Sequence, residues 1–288
     1  MRPRGLSVLA LLLACAPGAQ AQQGLPSIMV MTREQFRPGN MPAHNRQIPA
    51  FYAFFDKAKV GAPRMGLLPI SGDQNHLVYL ENYASYAEME ASTKKLDEVM
   101  SATPALQAEL DSLSKQNEPL HESQSVWVAI RRNDMSYRPR TAAEIAKIRN
   151  VSITVTRVNV GRASDYADYV KQTNAAREKL GLDEHSSVWQ VTSGAPTGTF
   201  LSFVSNSSMA EADAAMRGAD ARTKKLNEAL GGEMVVKQRA KLISELIAQS
   251  TSTLYSVNRA ISRPAPEYLA ADPDFWKPKE APKPPAKK

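Results

Sequence analysis

Residues 93–100 read Thr93-Lys94-Lys95-Leu96-Asp97-Glu98-Val99-Met100, and residues 223–230 read Thr223-Lys224-Lys225-Leu226-Asn227-Glu228-Ala229-Leu230. Five of the eight positions are identical. Three further pairs fall in the same order along the chain: Thr32-Arg33 with Thr156-Arg157, Ser71-Gly72 with Ser193-Gly194, and Ser123–Arg132 with Ser250–Arg259. In chain order the four offsets are 124, 122, 130 and 127 residues. Small loop insertions account for that spread, so the pattern is that of one fold written twice.

Each copy carries the same order of elements. In the second, Val151, Ile153 and Val155 alternate with Ser152, Thr154 and Thr156, the period of a half-buried strand. A helix follows with Ser164 or Asp165 as its cap, an apolar stripe through Tyr166, Tyr169 and Val170, and Gly181 as its stop. Ser187–Thr192 and Thr199–Val204 read as a hairpin around Gly194 and Gly198. A helix over 209–230 broken at Gly231-Gly232, a second over 235–246, and a strand over 251–257 complete the copy.

The first copy repeats this through a strand at 28–32 and a helix bearing Ile48, Phe51, Tyr52 and Phe55, with Pro49 limiting its upstream extent. Strands at 67–71 and 77–80, helical runs on either side of Pro104, and a strand with Val126, Val128 and Ile130 follow. Each copy is therefore β-α-β-β-α-β, the order of a ferredoxin-like unit. Such a unit leaves one sheet face bare. The expected fold is α+β, with two tandem ferredoxin-like units packed sheet to sheet as an intrachain dimeric α/β barrel. Their boundaries are 22–140 and 141–263.

Residues 1–21 read as a secretory signal: Arg2 and Arg4, an apolar run from Leu6 to Ala14, and Ala19-Gln20-Ala21 as the cleavage signature. The expected location is the periplasm or outside the cell. The only cysteine, Cys15, follows Leu12-Leu13-Ala14, which also resembles a lipobox and offers a lipid anchor as the alternative. Either way the folded part carries no thiol. From Pro264 onward there are seven prolines in 25 residues, with lysine and proline prevailing after Trp276. A disordered tail is expected over 264–288, with Leu269, Phe275 and Trp276 packing its start against the body.

The formal charge of +7 is unevenly spread. Arg2 and Arg4 carry two of these charges, and residues 277–288 carry a net +4 from five lysines against Glu280, leaving +1 for residues 22–276. A duplex-binding surface needs clustered cations, so nucleic acid is excluded as a partner. No later stretch approaches the ~20 apolar residues a membrane span requires.

The arrangement of these elements resembles the dimeric α/β-barrel superfamily. Within it, Thr156-Arg157 followed by Gly161, a Tyr-bearing helix, and Trp189-Gln190-Val191 before a glycine turn resembles the NIPSNAP-like members, over residues 27–260. The resemblance implies relatives that include cofactor-independent monooxygenases and haem-binding or haem-degrading enzymes, with a pocket between sheet and helices. The first copy departs from the pattern, with Leu67-Leu68-Pro69 where the second has Trp189-Gln190-Val191. The working pocket is accordingly expected in the second copy.

Catalytic signatures are sparse. Gly194–Gly198 lacks the Lys-Ser/Thr of a phosphate loop, and neither a Gly-x-Ser-x-Gly elbow nor a Gly-x-Gly-x-x-Gly fingerprint occurs. The four histidines, His44, His76, His121 and His185, have no spacing that shares a helix face, so no dedicated metal site is expected. One histidine suffices for haem, which singles out His76 at a hairpin and His185 before a strand. Arg33 and Arg157 recur in the repeat and could each hold a ligand carboxylate or oxygen; pairing with a nearby acid is the commoner role. Trp189 could line a cavity, although aromatics on strands usually belong to the core.

The binding candidates are thus Arg33, His76, Arg157, His185 and Trp189, with no catalytic residue. The expected function is that of an exported, non-catalytic module binding a small apolar ligand or a protein partner. A cofactor-independent monooxygenase or haem-handling enzyme is the alternative. Cofactors are expected to be none, or haem under that alternative, and self-association into a homo-oligomer stays open.

Overall fold

The first strand is longer than the 28–32 run suggests. In the computed structural model, which describes residues 26–277, the first strand β1 runs Ile28–Phe36. The signal segment with Cys15, and the lysine-rich end beyond 277, lie outside the described residues.

After β1 come α1 (Met41–Ala58), β2 (Arg64–Pro69), β3 (His76–Tyr83), α2 (Tyr86–Ala102), α3 (Pro104–Asn117) and β4 (His121–Arg131). A short helix α4 (Ala142–Ile145) leads to β5 (Asn150–Val158), α5 (Ala163–Lys179), β6 (Ser187–Ser193) and β7 (Thr199–Asn206). Then follow α6 (Met209–Arg217), α7 (Ala219–Ala229), α8 (Gly232–Leu246), β8 (Ile247–Val257), α9 (Pro266–Ala271) and α10 (Pro273–Trp276). None of the described helices is long and apolar enough to cross a membrane.

The eight strands form one closed antiparallel barrel in the order β1-β3-β2-β8-β5-β7-β6-β4. Within it β4-β1-β3-β2 and β8-β5-β7-β6 are the same order of strands from the two halves of the chain. The expected barrel is present, and it is closed at its strand edges rather than by packing of sheet faces alone. Hydrogen bonds join the sets edge to edge, β4 to β6 and β2 to β8, as in Leu67↔Val257 and Ile130↔Gln190. Closure removes the free edges that two separate sheets would expose. At the β4–β6 seam Gly194 has φ +88°, and a Cβ there would lie 2.0 Å from the Val126 carbonyl oxygen. Only glycine fits a backbone conformation of that hand at that approach.

Side-chain direction alternates along each strand. Met29, Met31, Val78, Leu80, Trp127, Ile153, Trp189 and Leu201 fill the barrel. The opposite parity faces helices: Phe36, Leu77 and Tyr79 pack beneath Ile48 of α1, and Val158, Val188 and Phe200 beneath Ala167 of α5. A third layer lies outside α1, where Phe54 and Ala58 meet Met100, Leu106 and Leu110 of α2 and α3.

Four element boundaries differ from the expectation. α1 passes through Pro49 and begins at Met41. The hydrogen bond lost at a mid-helix proline, part of a penalty of about 3 kcal/mol, is offset by burial of His44 and Ile48 on the sheet. The cap of α5 is Arg162, with Ser164 and Asp165 inside its first turn. The helix over 209–230 is interrupted at Gly218. Finally, residues 264–277 are not an extended tail, because two proline-started helices occupy them.

Those helices stop one end of the barrel. Trp276 is 5% exposed, packs with Tyr268, Leu269 and Phe275 against the interior cluster, and donates its indole N–H to the Ala146 carbonyl at 2.8 Å. Arg149 pairs with Asp272 and stacks on Phe275 at 3.7 Å. The seven prolines suggested disorder, but proline at the first turn of a helix is compatible with helix, and the buried aromatics supply the driving force.

Candidate functional site

Two cavities flank the barrel wall. The first, about 260 Å³, is the barrel mouth opposite the Trp276 end. Arg33 near the end of β1 and Arg157 near the end of β5 both line it, with Trp127, Thr199, Gln249 and Tyr255. The sequence placed these arginines in separate pockets, whereas the closed barrel brings them to one. Arg33 stacks over the Trp127 ring at 4.4 Å.

The other candidates scatter. His76 begins β3 beside this mouth: Nδ1 lies 3.4 Å from the Tyr255 hydroxyl, and Nε2 is buried with no partner. Burial, helped by the charge of Arg33, lowers its pKa to about 4. Trp189 is 3% exposed inside the barrel beneath Arg131, whose guanidinium sits 4.5 Å from its ring. His185 lines neither cavity; it lies in the loop before β6, with Nδ1 2.6 Å from the Arg138 carbonyl and Nε2 3.4 Å from Asp183.

The second cavity, about 670 Å³, lies outside the barrel wall in the first half, between the sheet and α1 with α3. Ile48, Phe51, Tyr52 and Phe55 of α1 form its apolar side. Its floor is polar and buried. Glu34, 5% exposed, stands on β1 between Leu77 and Gln124 of the neighbouring strands. Gln124 Nε2 donates to its Oε1 at 3.0 Å. His121, the first residue of β4, places Nε2 3.2 Å from Glu34 Oε2, and His44, in the first turn of α1, places Nε2 3.4 Å from the same oxygen.

Asn117, the last residue of α3, orients both rings. Its side-chain oxygen is 2.9 Å from His44 Nδ1, and its backbone carbonyl is 3.1 Å from His121 Nδ1. Oxygens of these kinds only accept, so both Nδ1 atoms carry hydrogen and both Nε2 atoms turn to Glu34. The two rings are shifted in opposite directions. The Glu34 hydrogen bond raises the pKa of His121. Burial lowers that of His44 despite Glu34, and its neutral Nε2 accepts from the Tyr79 hydroxyl at 3.0 Å. Burial raises the Tyr79 and Tyr52 phenols, so both stay protonated donors. Arg64, paired with Glu81, stacks 4.7 Å over Tyr79.

Residues of the second half line much of the barrel mouth, but the outer-face cavity lies in the first half. The offset that aligns Thr32-Arg33 with Thr156-Arg157 puts Val158 where Glu34 stands. Val158, Val188, Phe200 and Ala167 are packed there, with the Tyr166 ring 5.1 Å from Phe200. The tryptophan that marked the second half points into the barrel instead. Two signals could have revealed Glu34 and His44. Continuing the β1 alternation past Thr32 puts Glu34 on the helix-facing parity, and letting α1 run upstream of Pro49 puts His44 one turn before Ile48.

No protein-family model and no curated protein matches this sequence. Among solved structures, the chain is similar to an anthrone oxidase-like protein, with a TM-score of 0.50 and 10% identity, covering 82% of this chain and 93% of that one. A candidate monooxygenase from Lactobacillus acidophilus NCFM gives a TM-score of 0.45 at 7% identity, covering 80% and 93%. A chlorite dismutase variant from Candidatus Nitrospira defluvii gives 0.46 at 7%, covering 88% and 96%. The likeness is one of fold: an α+β protein built on the dimeric α+β barrel.

Proposed function

We propose that the outer cavity of the first half is the working site, and that it binds a small, largely apolar molecule presenting a weakly acidic hydroxyl to Glu34, His44 and His121. One observation carries this reading: an apolar helix face closes a 670 Å³ cavity over three convergent ionisable side chains. That volume and that mixture are those of a small-molecule site. A phenol or enol with its ring against Phe51 and Phe55 can direct its hydroxyl to a Glu34 side-chain oxygen, since His44 Nε2 already accepts from Tyr79.

Cofactor-independent monooxygenation is the second reading, favoured by the same base in an apolar setting. Deprotonating a naphthol-type phenol makes the ring electron-rich enough to react with O2. One oxygen atom then enters a quinone product, and the other leaves as water with the two hydrogens lost. Haem fits the residues less well. The Nε2 atoms of His44 and His121 each face Glu34 within 3.4 Å. His185 is held between a backbone carbonyl and Asp183 outside both cavities. The 260 Å³ mouth beside His76 is below the range for even a drug-sized ligand. Haemin is expected to give no Soret shift.

The proposal extends to origin and location. The shared strand order and a repeated helix cap support two tandem ferredoxin-like units. In those caps Ser85 accepts from the Glu88 N–H and Ser208 from the Glu211 N–H. The sequence of residues 1–21 supports export, with a lipid anchor at Cys15 as the variant form.

Fluorescence titration with 1-naphthol tests the site. Stoichiometric binding, lost in Phe51→Asp and kept in Arg157→Gln, is expected. Loss in Arg157→Gln with Phe51→Asp unaffected would move the site to the barrel mouth. Oxygen uptake during the same titration separates the second reading from the first.

A further inference from the structure

We infer that Glu34, His44 and His121 form a binding site for one divalent first-row transition-metal ion. The donor atoms lie within 4.8 Å of one another. The two contacts to Glu34 Oε2, at 3.2 and 3.4 Å, are long for a charge-assisted hydrogen bond, which spans about 2.7–2.9 Å. They match the donor–donor edge of a tetrahedron with bonds of about 2.1 Å, which is roughly 3.4 Å. Two imidazole nitrogens and one carboxylate oxygen make a donor set that suits Zn2+ or Fe2+ better than Mg2+ or Ca2+.

The surroundings are independent support. A histidine that binds metal donates its other ring N–H to an oxygen acceptor, which fixes the tautomer. Here one residue, Asn117, does this for both rings, through its side chain and its backbone. Gln124 holds Glu34 Oε1 and leaves Oε2 directed at the imidazoles. The three ligands come from β1, the first turn of α1 and the start of β4, so the framework places them without help from a loop. Arg64 is paired with Glu81, and the ion would take the place of the Tyr79 hydroxyl at His44 Nε2. Three protein donors facing a cavity leave the fourth position to water or a ligand, the pattern of a reactive rather than a structural ion.

Only the use of that fourth position rests on the reading of the outer cavity; metal binding stands on the ligands alone. The test is titration of the mature, untagged, EDTA-treated protein with Co2+, followed by Zn2+ competition. One equivalent of visible d–d absorption, displaced by Zn2+, is expected. Glu34→Gln and His44→Gln should weaken binding at least about tenfold, and Asn117→Ala, which touches no ligand position, by about 10–100-fold. Far-UV circular dichroism selects the variants that fold, and Asn117→Ala carries the test if a ligand variant does not. Absence of Co2+ binding overturns the inference, as does binding that all folded variants retain unchanged. Naphthol binding without Co2+ binding would sink the metal site and leave the cavity standing, and the reverse result would do the opposite.

Discussion

Trp276→Ala is expected to cost about 4 kcal/mol of stability. A buried tryptophan covers roughly 150–250 Å², and at about 25 cal/mol per Å² that is about 4–6 kcal/mol. Residual burial in the unfolded chain lowers this by roughly 10–40%. Loss of the indole hydrogen bond to Ala146 adds about 1 kcal/mol. The range agrees with the 3–5 kcal/mol typical of large aromatic-to-alanine changes in cores. Trp276→Phe keeps most of the area and drops the hydrogen bond, so about 1–2 kcal/mol is expected. Urea unfolding followed by far-UV circular dichroism reads both without depending on the removed fluorophore. The midpoint should fall in the order wild type, Phe, Ala, with an unchanged slope. A Trp276→Ala shift within about 0.5 kcal/mol, the range of an ordinary surface change, would refute the closing role. Residues 264–277 would then be the loose tail that their proline content suggests.

Two further tests address the other barrel end and the seam. His76 has its folded pKa lowered to about 4 from 6.5 by burial. The unfolded chain therefore binds the proton first as pH falls, and stability drops between pH 6.5 and 4 while staying level above that window. With partial exposure discounted, about 1–2 kcal/mol should disappear across it. The gap between wild type and His76→Phe should change over the same interval, and a constant gap would contradict the assignment. At the seam, Gly194→Ala must meet a carbonyl oxygen at 2.0 Å in a left-handed conformation, so a loss above about 2 kcal/mol is expected. Gly181→Ala has φ +60° with open space around it, so the conformational penalty of about 1–2 kcal/mol is all it should show. Equal melting temperatures for the two variants would remove the steric argument.

How far each residue could be read in advance depended on how local its cause is. Alternation at Val151–Thr156, the stop at Gly181 and the break at Pro104 arise from neighbours in the chain, and those elements formed close to where they were expected. Pro49 misled because its cost is local while its compensation is not: His44 and Ile48 gain their burial from strands that lie elsewhere in the sequence. Arg33 and Arg157 recur at like positions in the sequence, yet their meeting in one cavity depends on barrel closure.

The order of elements and the α+β class were therefore determined by the amino-acid sequence alone. Each rests on periodicity, turn chemistry and repetition within short windows. The tertiary structure decided that the strand edges join into one barrel and that residues 264–277 stop its end. It also decided that the outer-face cavity lies in the first half. Val158 stands where the first half has Glu34, and the layer around it is filled by Val188, Phe200 and Ala167, whereas the first half has a polar pocket. Glu34, His44, Asn117 and His121 are separated by up to 87 residues along the chain. No short-range pattern connects them, and only packing α1 on the outer sheet face, with α3 against α1, brings the donor atoms of Glu34, His44 and His121 within 4.8 Å of one another.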